Sequence, residues 1–458
     1  MHSRTVNGDS RLAFWLRVRE FAVPPSMIKS ATARRTAGDW AGACAAAHVD
    51  VDLNLRSVAR SHGEELAAQI RADLRHLAPD LLRWHMPRIA PDGLLRPGLT
   101  VSLARYRPTG QGDGVHLVAR TPPAWADAGQ RLSLALWDGS RSAPRPHPHP
   151  RPNRRFRLDL HRHLWDARRS GDLRVRSGAD LPPADPLLVA ERTGPPARDC
   201  AVDRWAAEVG ILLRAEGRAG GGVTVRLGGR HRLLLELAAP GDAYPPDPPR
   251  ITTAAGGGDP ALPVLPDAAT WVLPDLALLR AGLIEADQLH PLVAPALVPG
   301  HRPADTPPIP DGGASPRLVD CRGAQHRIGL VNGVLVPLDH DPAEIRREEL
   351  LASLTGTPLP CLQVIDEVHR HPAGLVDIRA RLDHGDIAGA LAAVEGLLGP
   401  DALLRGGALR EELETAALRQ VAHGMFRAGL AGLGPPPVLP TGNRSRDRRT
   451  HPRHATPR

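Results

Sequence analysis

Lysine is almost absent from this sequence, since Lys29 is the single lysine among its 58 lysine and arginine residues. A P-loop ends in a lysine that reaches the nucleotide phosphates. A protein kinase needs a lysine on a strand, and a pyridoxal phosphate enzyme needs one for its Schiff base. Lys29 lies in the stretch SMIKS, which has no glycine. The sequence therefore argues against all three classes of protein.

Cysteines are few and widely separated, at Cys44, Cys200, Cys321 and Cys361, and no CxxC pair is present. This spacing fits free thiols in a reducing compartment better than a disulfide framework. Charged residues interrupt the apolar stretches at 12–23 and 262–286, so neither is a signal sequence core or a membrane span. We therefore predict a cytoplasmic protein with no membrane partner, and we assign it no cofactor.

Phenylalanine and tyrosine are also scarce, with four and two residues, whereas arginine, alanine, glycine, proline and the eight tryptophans are plentiful. The scarce residues have AT-rich codons and the plentiful ones have GC-rich codons. The composition resembles that of proteins from high-GC actinobacterial genomes, and this resemblance carries no family of known function. Codon bias explains the choice of arginine without any function.

The hydrophobic pattern predicts a mixed α+β protein of several segments. N-terminal helices precede a central antiparallel β-rich region, a C-terminal β-hairpin plus helical unit, and a disordered tail. A hydrophobic content of 42% excludes global disorder. We expect an N-terminal extension at 1–26, a helical segment at 27–95, a β-rich segment at 96–237, a Pro/Gly-rich connector with one helix at 238–316, a hairpin plus helical domain at 317–431 and a disordered basic tail at 432–458.

Local patterns support these segments. Apolar residues at three- and four-residue spacing indicate a helix at 66–77, and alternation indicates strands at 100–104, 115–118 and 132–137. A hairpin is predicted at 223–237, and one helix at 276–289. The clearest hairpin joins 327–331 to 334–336 across Asn332-Gly333, the dipeptide that favours a type I′ turn. A capped helix is predicted after Asp341, followed by helices near 374–398 and 407–430.

A nine-residue segment occurs twice, at 38–46 and 385–393, with seven identical positions. In each copy a glycine follows one helix, an aspartate caps the next, and small residues allow close packing. The segment resembles the turn between the helices of tetratricopeptide-type hairpins. Because the copies are not in tandem, we predict two isolated helical hairpins, with degenerate repeats as the alternative.

Four histidines form the candidate metal site: His147, His149, His161 and His163. Two HxH pairs would direct imidazoles to one side of a strand, as a Zn²⁺ site requires. Ten arginines at 141–175 oppose a divalent cation, so an exposed basic loop is the alternative. The stretch 362–369 looks like a Walker B strand, but without a Walker A lysine we interpret it as a polar helix or strand end.

The same basic region suggests a second ligand. Phe156 and Trp165 lie among arginines, as in a stacking surface for single-stranded nucleic acid. The candidate phosphate-binding residues are Arg154, Arg155, Arg157, Arg168 and Arg169.

The leading functional hypothesis is a non-catalytic protein-interaction or regulatory protein whose partner is another protein. It follows from the helical-hairpin turns and from the lack of any catalytic motif. The alternatives are a divergent metal-dependent hydrolase around the four histidines and a nucleic-acid-associated protein, which we do not favour. Whether the chain is an enzyme stays open, with the sequence leaning against it.

Charge is unevenly distributed along the chain. Residues 1–175 contain 28 basic and 16 acidic residues, whereas 176–440 contain 24 and 33. The segment 441–458 has six arginines and one aspartate. We therefore expect the basic front and the acidic later part to attract one another.

Overall fold

The fold is described from a computed structural model of the chain. The structure describes residues 5–106, 114–139, 147–182, 199–228, 231–237, 250–253, 259, 261–301, 317–321, 323–331, 334–355, 359–370, 374–398, 403–404 and 406–430. The predicted tail at 432–458 lies outside them. Two compact units are present, one made of 1–304 with 427–458 and the other of 305–426.

The first unit begins with helices. They are α1 (Thr5–Arg17), followed by a π-helical turn at Val18–Ala22, then α2 (Pro25–Thr36), α3 (Trp40–Ala46), α4 (Leu55–His62), α5 (Glu64–His76) and α6 (Pro79–His85). The predicted apolar face of α5 is confirmed, because Leu66, Ile70 and Leu74 are buried. Val18 and Ala22 also belong to the main hydrophobic cluster, so part of 1–26 packs in the core.

A four-stranded sheet packs against these helices. Its strands are β1 (Val49–Val51), β4 (Thr100–Tyr106), β5 (Val115–Arg120) and β6 (Leu132–Trp137), in the order β1-β6-β5-β4. The three longer strands form the predicted antiparallel meander, whereas β1 pairs with β6 in parallel. Sequence analysis missed β1 because three residues between helices are too few for a recognisable alternation. The small sheet of β2 (Arg88–Ile89) and β3 (Leu94–Leu95) completes this region.

A second hydrophobic cluster lies in the first unit between one helix and a three-stranded antiparallel sheet. The short helix α7 (Leu173–Ser177) contributes Leu173 to the main cluster instead. The elements of the second cluster are α8 (Val202–Ala215), β7 (Gly221–Gly228), β8 (His231–Leu237) and β9 (Arg250–Thr253), with α8 supplying the helical side. The predicted hairpin is confirmed as β7 and β8. Strand β9 lies inside the predicted Pro/Gly-rich connector, since pairing with β8 overrides the composition of that stretch.

The single helix predicted at 276–289 is wrong. The structure has short helices instead: α9 (Asp267–Thr270), α10 (Pro274–Arg280), a 3₁₀ turn at Ala286–Gln288, and α11 (Ala294–Leu297). Helix α10 stops because Gly282 follows it with φ +66°, in the left-handed region that glycine adopts without strain.

The second unit contains a three-stranded antiparallel sheet and a series of helices. They are β10 (Arg317–Cys321), β11 (Ala324–Val331), β12 (Val334–Pro337), α12 (Pro342–Thr355), α13 (Pro360–Arg370), α14 (Leu375–His384), α15 (Ile387–Leu398) and α16 (Ala408–Arg427). The predicted β11–β12 hairpin is confirmed by the pairing of Val331 with Val334, although its turn residues lie outside the described part. The Walker-like stretch belongs to helix α13, not to a strand.

These elements confirm a mixed α/β fold with several small sheets. None of the helices in the described part of the chain is long and apolar enough to pass through a lipid bilayer.

The repeated segment has the same geometry in both copies. Asp39 caps α3 by accepting a hydrogen bond from Gly42 N at 2.8 Å, and Asp386 caps α15 by accepting one from Gly389 N at 2.9 Å. A Cβ on Gly389 would lie 2.1 Å from Asp386 Oδ2. The glycine therefore leaves room for the capping carboxylate, which explains why it occurs in both copies.

Gly389→Ala tests this explanation against Gly396→Ala in the same helix, where a Cβ meets nothing within 4 Å. Alanine exceeds glycine in helix stability by about 0.8–1 kcal/mol, so we expect G396A to stabilise α15. In G389A the cap must break, at a cost of about 1 kcal/mol. Amide hydrogen exchange across α14 and α15 should give an opening free energy that is about 1 kcal/mol lower in G389A than in G396A. Equal protection in the two variants would contradict the explanation.

Candidate metal centre

The first predicted histidine pair, His147 and His149, makes hydrogen bonds within the first unit. His147 Nε2 lies 3.0 Å from Thr121 O, and His147 Nδ1 accepts a hydrogen bond from the backbone N–H of His149 at 3.2 Å. Both ring nitrogens of His147 therefore have protein partners, and the His149 side chain is exposed. Neither residue lies on a strand.

The second pair lies in the core of the first unit. His161 and His163 are 2% and 5% exposed, and their ring centroids are 5.7 Å apart at a 3₁₀ turn rather than on a strand. Burial lowers the pKa of both imidazoles well below the ordinary value, and the Arg176 charge lowers both further. The described residues do not bring these histidines into a cluster of three close ligand atoms, so their metal role stays a prediction.

Most of the predicted phosphate-binding arginines form ion pairs with carboxylates of the same unit. Arg155 pairs with Asp267 at 2.6 Å, Arg157 with Asp159 at 2.6 Å, Arg168 with Asp73 at 2.7 Å and Arg169 with Asp172 at 2.6 Å. Arg154 lines a cleft beside Arg157. Of the two aromatic residues, Trp165 is fully buried.

The structure brings together three residues that the sequence analysis did not combine. The ligand atoms of Cys321, His340 and Cys361 all lie within 4.8 Å of one another, and this is the single such group among the described residues. Both cysteines are 0% exposed, and the His340 side chain is 6% exposed. The three residues come from β10, the β12–α12 turn and α13 respectively.

Local sequence features place each of these residues. Gly323 has φ +83°, which lets the chain reverse directly after Cys321 and return as β11. Asp341 caps α12 through a 2.8 Å hydrogen bond from Ala343 N, which holds His340 at the helix entrance. Pro360 occupies the first position of α13, where proline is favoured, and thereby sets Cys361 in the first turn.

The two nitrogens of His340 have different surroundings. Nδ1 lies 3.5 Å from Glu344 Oε2, whereas Nε2 is buried without a hydrogen-bond partner among the described residues. A carboxylate behind one imidazole nitrogen is the usual arrangement when the other nitrogen binds a metal. Burial raises the pKa of the Cys361 thiol to about 11, and the hydrogen bond with Cys321 adds to this effect. The thiol therefore stays protonated at neutral pH unless a metal displaces the proton.

A second imidazole, which is a possible fourth ligand, lies beside the cluster. The His326 ring stacks on the His340 ring with 4.1 Å between centroids, and its Nδ1 is also buried without a described partner. Two thiolates and one imidazole are the ligands that Zn²⁺ takes in proteins, in sites with three or four protein ligands. The geometry therefore suits a zinc ion with Cys321, His340 and Cys361 as ligands.

A serine and a histidine on neighbouring strands also lie within hydrogen-bond distance. Ser102 Oγ lies 2.8 Å from His116 Nδ1, with the residue types of a nucleophile and its base. Ser102 is only 2% exposed, and the pair joins the adjacent strands β4 and β5. We interpret this contact as a cross-strand link.

No family model, curated protein or solved structure matches the chain. The cluster of Cys321, His340 and Cys361 is therefore argued from geometry alone. Sequence reasoning missed it because the spacing follows no compact motif. The available signal was that two cysteines and a histidine share one predicted domain with a hairpin between them.

The buried histidines make the first unit sensitive to acid. Below about pH 6.5 the imidazole takes up a proton when the chain unfolds, but it stays neutral while it is buried in the fold. The free energy of unfolding is therefore highest above this pH and decreases as the pH falls. For His163, whose pKa burial lowers well below the ordinary value, the expected loss between pH 7 and pH 5 is at most about 2 kcal/mol, the limit set by the ordinary pKa of histidine in the unfolded chain.

Urea unfolding followed by tryptophan fluorescence measures this loss, because all eight tryptophans lie in the first 271 residues. His163→Gln should flatten the pH dependence, whereas His149→Gln at an exposed position should leave it unchanged. An unaltered pH dependence in H163Q would show that His163 is not buried as a neutral group.

Proposed function

We propose that the chain is a protein-interaction protein whose second unit binds zinc through Cys321, His340 and Cys361. The observation that carries this proposal is the convergence of three ligand atoms within 4.8 Å from three separate elements. A zinc ion there would join β10 and α13 through the cysteines, with His340 linking the entrance of α12. Its role is to stabilise the unit that displays the binding surface.

The surroundings of the cluster support a structural role for zinc. Cys321 and Cys361 lie with Leu359 in an apolar group of three buried residues, against which Val319 and Leu362 pack. A structural zinc ion contributes folding free energy directly, since its ligands are brought together only in the folded state. A small unit with a modest core is where such a contribution matters most.

The exposed surface of the second unit supports the interaction role. Among the described residues, nine of the thirteen strongly exposed large apolar side chains belong to this unit: Leu318, Leu338, Leu350, Val376, Ile387, Leu391, Leu403, Leu418 and Val421. Ile387 and Leu391 lie four residues apart on α15, and Leu418 and Val421 lie three apart on α16, so each pair shares a helix face. A pair of exposed apolar side chains on one helix face is a candidate contact for another protein.

Metal analysis tests the zinc site. We expect one zinc ion per chain in protein purified without chelator, and loss of that zinc in Cys321→Ala and Cys361→Ala. The matched controls are Cys44→Ala and Cys200→Ala, which remove equally buried thiols and should keep the zinc. Inductively coupled plasma mass spectrometry gives the metal content, and hydrogen exchange across β10 and α13 should show lower protection in the zinc-free variants.

Three results would overturn the zinc site. They are the absence of stoichiometric zinc, retention of zinc in C361A, and a Cys321–Cys361 disulfide in protein isolated under reducing conditions. Zinc lost from a His161→Gln, His163→Gln double variant but kept in C361A would favour the histidine site instead.

The interaction surface has its own test. Leu418→Glu with Val421→Glu removes an apolar pair, and the fold should be unaffected because both side chains are at least 60% exposed. Thr415→Glu with Gln420→Glu adds the same charge to exposed positions of the same helix. Quantitative co-purification should find a protein that the wild type and the control retain and that L418E/V421E loses. If no protein distinguishes the two double variants, this face of α16 is not the binding surface.

A further inference from the structure

A cavity of about 360 Å³ lies in the first unit, where its two hydrophobic clusters come together. This volume is within the range of small-molecule binding sites. The apolar part of its wall includes Trp15, Phe156, Leu158, Leu227, Trp271 and Leu273. Flat aromatic side chains therefore form much of the surface that a ligand would contact.

The polar part of the wall is mainly cationic. Three of its arginines already have carboxylate partners, since Arg11 pairs with Asp199, Arg155 with Asp267 and Arg157 with Asp159, each at 2.6 Å. Asp267 is the one acidic residue that lines the cavity within the described part of the chain.

Arg96 differs from those three arginines. Its guanidinium makes no ion pair or hydrogen bond among the described residues, and its Nε is buried. It lies over the Phe156 ring, 5.4 Å from the centroid, and the guanidinium of Arg155 lies over the same ring at 5.0 Å. The charge of Asp267 also acts on Arg96, but that carboxylate is already paired with Arg155. A partly buried guanidinium that lacks an ion pair of its own is costly, and a bound anion would relieve that cost.

Two further residues with unpartnered nitrogens border the same space. Arg88 donates to the carbonyls of Gly93 and Arg83 through its terminal nitrogens, while its Nε has no described partner. His85 Nε2 is also buried without a described partner, and in the tautomer that protonates this nitrogen it is a donor. Polar nitrogens without partners beside a cation that lacks an ion pair are what an anion-binding pocket provides.

We propose that this cavity binds a small molecule with a flat apolar body and one anionic group. The anion pairs with Arg96, and the flat body packs against Phe156 and Trp271. The site belongs to the first unit, so it does not depend on the zinc proposal.

Binding of 1-anilinonaphthalene-8-sulfonate to the full-length protein tests the proposal. Its neutral analogue, N-phenyl-1-naphthylamine, has the same apolar body without the anion. Arg96→Gln should weaken the sulfonate about tenfold and leave the neutral analogue unchanged, since a charge-assisted hydrogen bond is lost. The matched control is Arg17→Gln, which removes a guanidinium 5.7 Å from the Phe21 ring outside the cavity. Arg96→Lys, which keeps the charge, should retain most of the binding.

Dye bound elsewhere on the surface is common to all variants, so the Arg96-dependent component is the measured quantity. Equal sulfonate binding in R96Q and R17Q would overturn the proposal. Loss of both probes in R96Q would also overturn it, because the effect would then be on the shape of the cavity. Competition by 2-naphthoate or by 2-naphthyl phosphate would identify the anionic group, and competition by neither would again contradict the proposal.

Discussion

The first unit depends on arginine–carboxylate pairs that join its basic early part to acidic residues far along the chain. Arg11 pairs with Asp199 and Arg155 with Asp267 at 2.6 Å, and Arg157 with Glu216 at 2.7 Å. Arg19 reaches the buried Asp275 at 3.3 Å. Removing one partner of a buried pair leaves an uncompensated charge, which destabilises a protein by about 3–5 kcal/mol. Each of these pairs joins an arginine of the basic front to a carboxylate of the later part, while the attraction between the two parts as a whole stays a prediction.

These ion pairs change the interpretation of the basic region. Four of the five arginines that look like a phosphate-binding surface in the sequence form ion pairs with carboxylates of the same unit, so these four have a structural role. Two features are not explained by this pairing: Arg96, which makes no direct ion pair among the described residues, and the thiol–imidazole cluster of the second unit. The two sites use different chemistry and belong to different units, so each proposal stands or fails by itself.

The sequence predicted the features that local physics controls. The hairpin around 332–333, the capped helix after Asp341 and both helical hairpins followed from turn and capping residues, whose preferences act within a few positions. It failed where tertiary contacts decide. Strand β9 forms because β8 offers it an edge, and β1 forms because β6 does. The proposed zinc ligands are 19 and 21 positions apart in sequence, and the packing of α13 on the sheet brings them together.

We propose above all that Cys321, His340 and Cys361 bind one zinc ion. Zinc K-edge X-ray absorption spectroscopy on the purified full-length protein measures the ligands directly. We expect two sulfur ligands at a Zn–S distance of about 2.3 Å, with nitrogen or oxygen ligands about 2.0–2.1 Å from the zinc completing the shell. A shell of nitrogen and oxygen alone would contradict this expectation, because the cysteines would then not be ligands.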